Sequence, residues 1–495
     1  MMSDLFVNAM NEDGKWKLTE NGADALRTTG TSLLDLFATI GALRSRNEQD
    51  IESMFSKAFT ENALLATKMS FYARNVRGGL GERTTARVIW KWLAKIYPGV
   101  MRMNLGLIPQ FGRWDDLYEF VGTSQEELMW QFMRQQFEED LVDLKAGKNV
   151  SLLAKWLKSV NTSSRDSAKL GKLTAKKFGL SEREYRKALS ALRAKIDVVE
   201  KRMSEKEWSG INYQAVPSHA MTNYRKAFQK NDPEGFAAYM AKVEKGEAKI
   251  NSGTLYPYDI IEKIMNREFS DVLEAQWKAL PNYVEGEVNM LVMADVSGSM
   301  SGRPMATSVG LAIYFAERNH GVFKDKFMTF SAEPEFVTLK GNTLYEKVQN
   351  AMGAAWTQNT DIEKAFKKIL DVAVQNKLAQ ADLPKSLLII SDMEFDASQR
   401  AGMSWRSESV HSIPKYYHQH MSEMYAEAGY ELPRVIYWNV DARQNTYHAQ
   451  AQDGIQFASG QSTSVFKSII ENAEMGAVEL MLEVLNAPMY DCIKV

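Results

Sequence analysis

Leu291-Val292-Met293-Ala294-Asp295-Val296-Ser297-Gly298-Ser299-Met300 decides how this 495-residue chain is read. With Met290, its first residues form a continuous apolar run, the pattern of a strand buried on both faces of a parallel sheet. An Asp-x-Ser-x-Ser loop follows at once. In open α/β sheets, ligands sit in the crevice outside the carboxyl ends of the strands. The run therefore predicts the first strand of a second domain, carrying oxygen donors on its rim.

Downstream of this strand, helical and extended patterns alternate. Strands are predicted at Lys326–Ser331, Glu335–Leu339 (an edge strand), Ser386–Ile390, Arg434–Val440 and Gly454–Gly460. Helices are predicted at Ala306–Asn319, from Leu344, at Asp361–Gln375, around Lys415–Glu427 and at Ser464–Asn472. That alternation predicts a mostly parallel, doubly wound sheet. Two further loops offer oxygen. Thr357-Gln-Asn-Thr360-Asp361 opens a helix and presents Thr360, and Ile390-Ser391-Asp392 ends the most apolar strand. Asp295, Ser297, Ser299, Thr360 and Asp392 suit Mg²⁺ or another hard divalent cation, which takes oxygen ligands and keeps waters. Three of the five donors are neutral hydroxyls. The ion would therefore keep positive charge for a carboxylate, phosphate or water at an open position.

This set resembles the metal-ion-dependent adhesion site (MIDAS) of von Willebrand factor A domains. The resemblance implies a metal held by those five residues, the aspartates often through water. One position departs from it: the family often has Gly after the last Asp, where this chain has Met393.

Ahead of the strand, residues 15–285 read as helix after helix, among them Thr31–Leu43, Asn62–Arg74, Arg83–Tyr97, Gln125–Leu144, Glu182–Met203 and Asp232–Val243. Apolar residues recur at helical spacing and the connections are short. Hairpins of helices in series predict an α-solenoid of HEAT-like repeats. Arg77-Gly78-Gly79-Leu80-Gly81-Glu82-Arg83 lacks the Gly-Lys-Ser/Thr of a phosphate loop and follows no strand, so it reads as a flexible turn. The three expected units are 15–285 (helical repeats), 286–475 (α/β, A-like) and 476–495 (a tail packing back on the body).

Bulk composition narrows the class. Hydrophobic residues make up 45% and charged residues 25%, as in ordinary globular proteins. The single cysteine excludes an internal disulfide and fits a reducing, cytoplasmic setting. No apolar run reaches the roughly 18 residues of a membrane span. A formal charge of −2 hides an asymmetry: Lys145–Glu207 holds 17 Lys and Arg against 7 Asp and Glu. A basic segment in an otherwise acidic chain is a candidate polyanion footprint.

A wider resemblance rests on Tyr72-Ala-Arg74-Asn-Val-Arg77-Gly-Gly, Ile108-Pro-Gln-Phe-Gly112-Arg113-Trp114-Asp115-Asp116-Leu117 and Leu152-Leu-Ala-Lys155-Trp156-Leu157. It continues through Tyr185-Arg186, Met203-Ser-Glu-Lys-Glu-Trp208, Val216-Pro-Ser218 and Lys249-Ile-Asn251. In this order, with an A-like domain behind them, they resemble Ro autoantigen (TROVE-type) proteins. They are closer still to a family of that architecture found in microbes, viruses and eukaryotes. In Ro proteins the helical repeats form a ring that binds small RNAs. The resemblance implies a non-catalytic, monomeric ribonucleoprotein component. Its RNA contacts would come from Arg113, Lys155, Lys158, Arg165, Lys172, Lys176, Lys177, Arg186 and Lys187, with Trp114 and Trp156 as stacking candidates. The alternative is an adaptor that captures a protein partner's carboxylate through the metal.

Overall fold

A computed structural model describes residues 16–196, 198–284, 289–329, 334–353, 361–396, 417–451, 454–472 and 474–495. The chain is helical up to Lys278, apart from one short hairpin, and then forms a six-stranded sheet. The strands are β1 (Trp16–Leu18), β2 (Asp24–Leu26), β3 (Met290–Ala294), β4 (Lys326–Thr329), β5 (Phe336–Thr338), β6 (Ser386–Ser391), β7 (Arg434–Asn439) and β8 (Gln456–Ser459).

The large sheet runs β5-β4-β3-β6-β7-β8. All its pairings are parallel except the β4–β5 edge pair. From β3 the chain passes through the helix Arg303–Arg318 to β4 on one side, whereas β6 leads to β7 on the other. Neighbouring β3 and β6 are thus the point where the winding reverses, and a crevice opens at their carboxyl ends. Every residue of β3 is buried, as are the last five of β6 and of β7. The expected strands all form, with ends within two residues of those expected.

The helical half departs from expectation in detail. Thr31–Leu43 is a short α-helix, Ser32–Phe37, followed by a 3₁₀ segment, Ile40–Ser45. Glu182–Met203 breaks into Glu182–Ile196 and Val199–Glu205. Several helices carry too few apolar residues to stand out in the sequence, among them Arg165–Lys177 and Ser218–Asn231. A small separate core around Tyr213, Phe228 and Phe236 holds the last part of this half together.

One continuous core joins the rest of the helical half to the sheet. The helix Pro257–Met265 lies along Arg303–Arg318, where Gly310 lets them close: a Cβ there would stand 3.1 Å from Pro257 Cβ. Gly41 packs against β8, where an added Cβ would come within 2.5 Å of the Ser459 carbonyl oxygen. The tail helix Ala477–Leu485 rests on Ser32–Phe37, Ala63–Arg74 and β8. Beyond it, Asn104 bonds Lys494 in both directions, donating at 2.6 Å and accepting at 2.9 Å.

The Arg77–Arg83 segment is no flexible turn. Its backbone amides at Leu80, Gly81 and Glu82 donate to the carbonyls of Tyr72, Asn75 and Ala73. A Cβ on Gly79 would fall 2.2 Å from the Tyr72 oxygen, so the glycine is there for close approach.

Charge inside the helical half is neutralised locally. Asp116 has no exposed surface and binds Arg74 at 2.8 Å, Arg87 at 2.7 Å and the Arg113 amide at 2.9 Å. These contacts hold the Asp116 carboxyl below its usual range, against the opposing effect of burial. Replacing Asp116 by alanine leaves the buried Arg74 guanidinium without its acidic partner, whereas Arg87 keeps Glu119 at 2.9 Å. Loss of one partner of a buried ion pair costs about 3–5 kcal/mol, so Asp116→Ala should lower urea-unfolding stability by that order. A loss under about 1 kcal/mol would mean that Arg74 finds another partner.

Candidate functional site

The crevice is built by register. Ala294 pairs with Ile390, and the Asp295 amide donates to the Ile390 carbonyl at 2.9 Å. Asp295 therefore comes level with Ser391, and Asp392, the next residue, lies close enough for its charge to act on Asp295. Both are buried, at 0% and 1% exposure. Asp295 accepts hydrogen bonds from the Ser391 hydroxyl at 2.6 Å and the Ser297 amide at 2.9 Å. Ser297 and Ser299 place their hydroxyls 2.9 Å apart. Burial, and then the Asp392 carboxylate, push the Asp295 carboxyl up to about 7, although the hydrogen bonds from Ser391 and Ser297 favour its charged form.

Thus Asp295, Ser297, Ser299 and Asp392 converge, while Thr360 lies outside the described residues. Its neighbour Asp361 is buried and caps the helix Ile362–Asn376, accepting from the Lys364 amide at 3.1 Å. Among the described residues, no three His, Cys, Asp or Glu side chains group as ligands of one ion. A cation here would depend on two carboxylates supplemented by hydroxyls.

Met393 explains the departure noted in the sequence. Its backbone is left-handed, with φ of 66°, the conformation that favours glycine. The surroundings hold it there: its amide donates to the Ser391 hydroxyl at 3.0 Å, and its carbonyl bonds the His448 ring at 2.8 Å. Such strain is characteristic of functional loops held by their neighbours.

Two contributors are not apparent in the sequence pattern, Arg443 and the hairpin that carries Glu20. Arg443, in the loop after β7, pairs with Asp392 at 2.5 Å. It also reaches Glu20 at 3.2 Å and Asp441 at 3.9 Å, so one guanidinium is shared among three carboxylates. Glu20 belongs to the β1–β2 hairpin, which is stitched to this rim. The Glu20 amide donates to the Glu394 carboxylate at 2.7 Å, the Thr19 hydroxyl to the Phe395 carbonyl at 2.6 Å, and the Leu26 amide to the Tyr447 carbonyl at 2.8 Å. Arg443 was legible in principle, because it too follows a parallel strand's carboxyl end. The hairpin was not, since its three-residue strands carry no periodicity.

Three carboxylates (Asp392, Asp441 and Glu20) thus gather around Arg443, and Asp295 lies beyond Asp392. Asp295 has no cationic partner of its own among the described residues, which fits a divalent cation between Asp295 and Asp392.

The predicted basic residues fall into two groups. Some are already engaged. Arg113 pairs with Asp115 at 3.0 Å and stacks 4.1 Å over Trp156, Lys158 lies 3.9 Å from Asp115, Lys172 lies 3.6 Å from Glu182, and Lys177 lies 3.0 Å from Glu127. Lys155, Arg165, Lys176, Arg186 and Lys187 are exposed, with no acidic partner among the described residues. Trp114 stacks on Phe132 at 5.2 Å and Trp156 lies beneath Arg113, so each ring has one face engaged.

Residues 19–141 and 132–289 match the family described as a domain of unknown function, DUF2828. The chain belongs to the DUF2828 family. Residues 289–487 of this DUF2828 protein match a second domain of unknown function, DUF7788, and the two matches meet just before β3. The chain is also similar to "Uncharacterized protein L728" of Acanthamoeba polyphaga mimivirus. Identity is 27%, over 94% of this chain and 86% of the viral protein. Among the described residues, no helix is long and apolar enough to cross a membrane.

Magnesium should raise the melting temperature of this protein. At a hundredfold excess over Kd a ligand of the folded state adds about 2.7 kcal/mol. Asp295→Asn and Asp392→Asn should abolish that response. In chelator, Asp295→Asn should melt no lower than the parent, because it removes one of two repelling buried carboxylates. A magnesium response that persists in both variants would move the cation elsewhere.

Proposed function

We propose that this DUF2828 protein is a non-catalytic RNA-binding protein of the Ro-like plan. In this reading its helical half offers a basic face to RNA, and its sheet is an A-type domain holding Mg²⁺ or another divalent cation. The observation that carries the RNA reading is the run of exposed cations without acidic partners, Lys155, Arg165, Lys176, Arg186 and Lys187. Two of them lie on the helix Arg165–Lys177 and two on its neighbour Glu182–Ile196. Side chains already paired to carboxylates gain little from a phosphate. Arg165, Lys176, Arg186 and Lys187 have only water to lose, and Lys155 also lies 5.6 Å over the Trp156 ring.

The A-type reading is supported by the strand order, by its single antiparallel edge, and by the meeting of Asp295, Ser297, Ser299 and Asp392 where the winding reverses. A second reading, an adaptor that captures a partner's carboxylate through the cation, draws on the same crevice. The neutral hydroxyl donors would leave the ion charge with which to attract that acid. The two readings are compatible, since the basic helices and the crevice belong to different parts of the chain. A cytoplasmic, monomeric protein belongs to the same proposal.

Binding to RNA should weaken steeply with salt. Each phosphate contact on a single strand contributes about 0.7 to the slope of log K against log salt. Neutralising Lys155, Arg165 and Lys176 together by glutamine should flatten the slope by about 2, for all sequences alike, as read by fluorescence anisotropy from low to moderate salt. An unchanged slope would remove these side chains from the interface. Loss of RNA binding in Asp295→Ala would tie RNA to the crevice instead of the helices.

A further inference from the structure

In the helical half, the helix Glu182–Ile196 and the segment around Ser159 line an open groove of about 560 Å³. Its lining includes Ser159, Asn161, Arg183, Arg186, Lys187 and Arg193, and no carboxylate. Arg183, Arg186 and Lys187 stand at i, i+3 and i+4, so they share one helix face. All three are exposed, and none has an ion pair among the described residues. The two acids of this helix's first turn are engaged elsewhere. Glu182 faces Lys172 at 3.6 Å, and Glu184 accepts from the Ser181 hydroxyl at 2.6 Å.

The opposite wall is rigid. Arg193 donates to the carbonyls of Ala154 at 2.9 Å and Leu157 at 2.8 Å, and to the Ser159 hydroxyl oxygen at 3.0 Å. Because Ser159 accepts there, its own O–H is left to point at a ligand. Gly171 presses the neighbouring helix onto the same wall, since a Cβ there would lie 2.5 Å from the Ser159 carbonyl oxygen.

Three like charges on one helix face repel unless an anion answers them. Here they converge on a concavity instead of running along a strip, and a concavity suits a compact dianion better than a chain of singly charged phosphodiesters. We infer that this groove seats a phosphomonoester, with Arg183, Arg186 and Lys187 neutralising its oxygens and Ser159 and Asn161 donating hydrogen bonds. The group would be the terminal phosphate of an RNA strand or that of a free nucleotide. A phosphomonoester carries about −1.5 to −2 charges at pH 7, with a second pKa of about 6. The groove shares Arg186 and Lys187 with the RNA face proposed above, and in its RNA form the inference rests on that reading.

The test compares one oligoribonucleotide with a phosphate or a hydroxyl at its end, alongside adenosine monophosphate and inorganic phosphate as competitors, on the full chain. The phosphorylated end should bind at least tenfold tighter. The advantage should shrink as pH falls through 6, and should drop to near unity in Arg183→Gln and Arg186→Gln, whose melting temperatures report intact folding. Competition by adenosine monophosphate in the absence of any RNA binding would keep the groove, assign it to free nucleotides and sink the RNA reading. RNA bound equally at both ends, with no competition from either phosphate, would overturn the inference and leave the RNA reading standing.

Discussion

The parallel register of β3 and β6 is the constraint on which the rest of this molecule turns. Ala294 opposite Ile390 sets Asp295 beside Ser391 and one residue from Asp392, with both aspartates buried. Buried like charges are costly, and the surroundings are organised around that cost. Ser391 and the Ser297 amide each bond Asp295, and Arg443 answers Asp392. Met393 accepts a left-handed backbone that lets the loop turn over the crevice. Fold stability alone would favour an apolar rim here. The carboxylates make physical sense as part of a site that receives positive charge.

The helical half is not an appendage to this sheet. Close approach at Gly41 and Gly310 welds the two together, and segments distant in sequence complete the seam. The β1–β2 hairpin bonds the loops that follow β6 and β7, while the tail lies across the helices Ser32–Phe37 and Ala63–Arg74. The hairpin, Arg443 and Asp392 form one chain of contacts, Glu20 to Arg443 to Asp392, which links the start of the protein to its crevice. Basic helices and the crevice are thereby held on one framework.

Much of the sheet was legible because burial on both faces leaves no choice of residue. Met290–Ala294 and Leu387–Ile390 are apolar without interruption, as strands covered on both faces are. Long amphipathic helices such as Ala63–Arg74 and Arg83–Ile96 were read within a residue or so of their ends. Arg165–Lys177 was overlooked as a helix because its mean composition is polar and only Gly171, Thr174 and Ala175 are buried. The loop from Arg77 to Arg83 misled for a related reason. Glycine serves flexibility and close packing equally well, and only the neighbours, Tyr72 and Tyr256, show that packing is its purpose here.

By itself the sequence determined the alternation of strands and helices from Met290 onward, and that aspartates and serines would gather at strand ends. Those features follow from local periodicity and from the chemistry of residues adjacent in the chain. Tertiary structure decided which charges are spent and which are free. Lys172 and Lys177 look no different from Lys176 until Glu182 and Glu127 are brought to them, and Arg443 acquires its partners only when β7 lies beside β6. Electrostatic pairing depends on distance in space, which folding sets between residues far apart in the chain, and no local pattern carries that information.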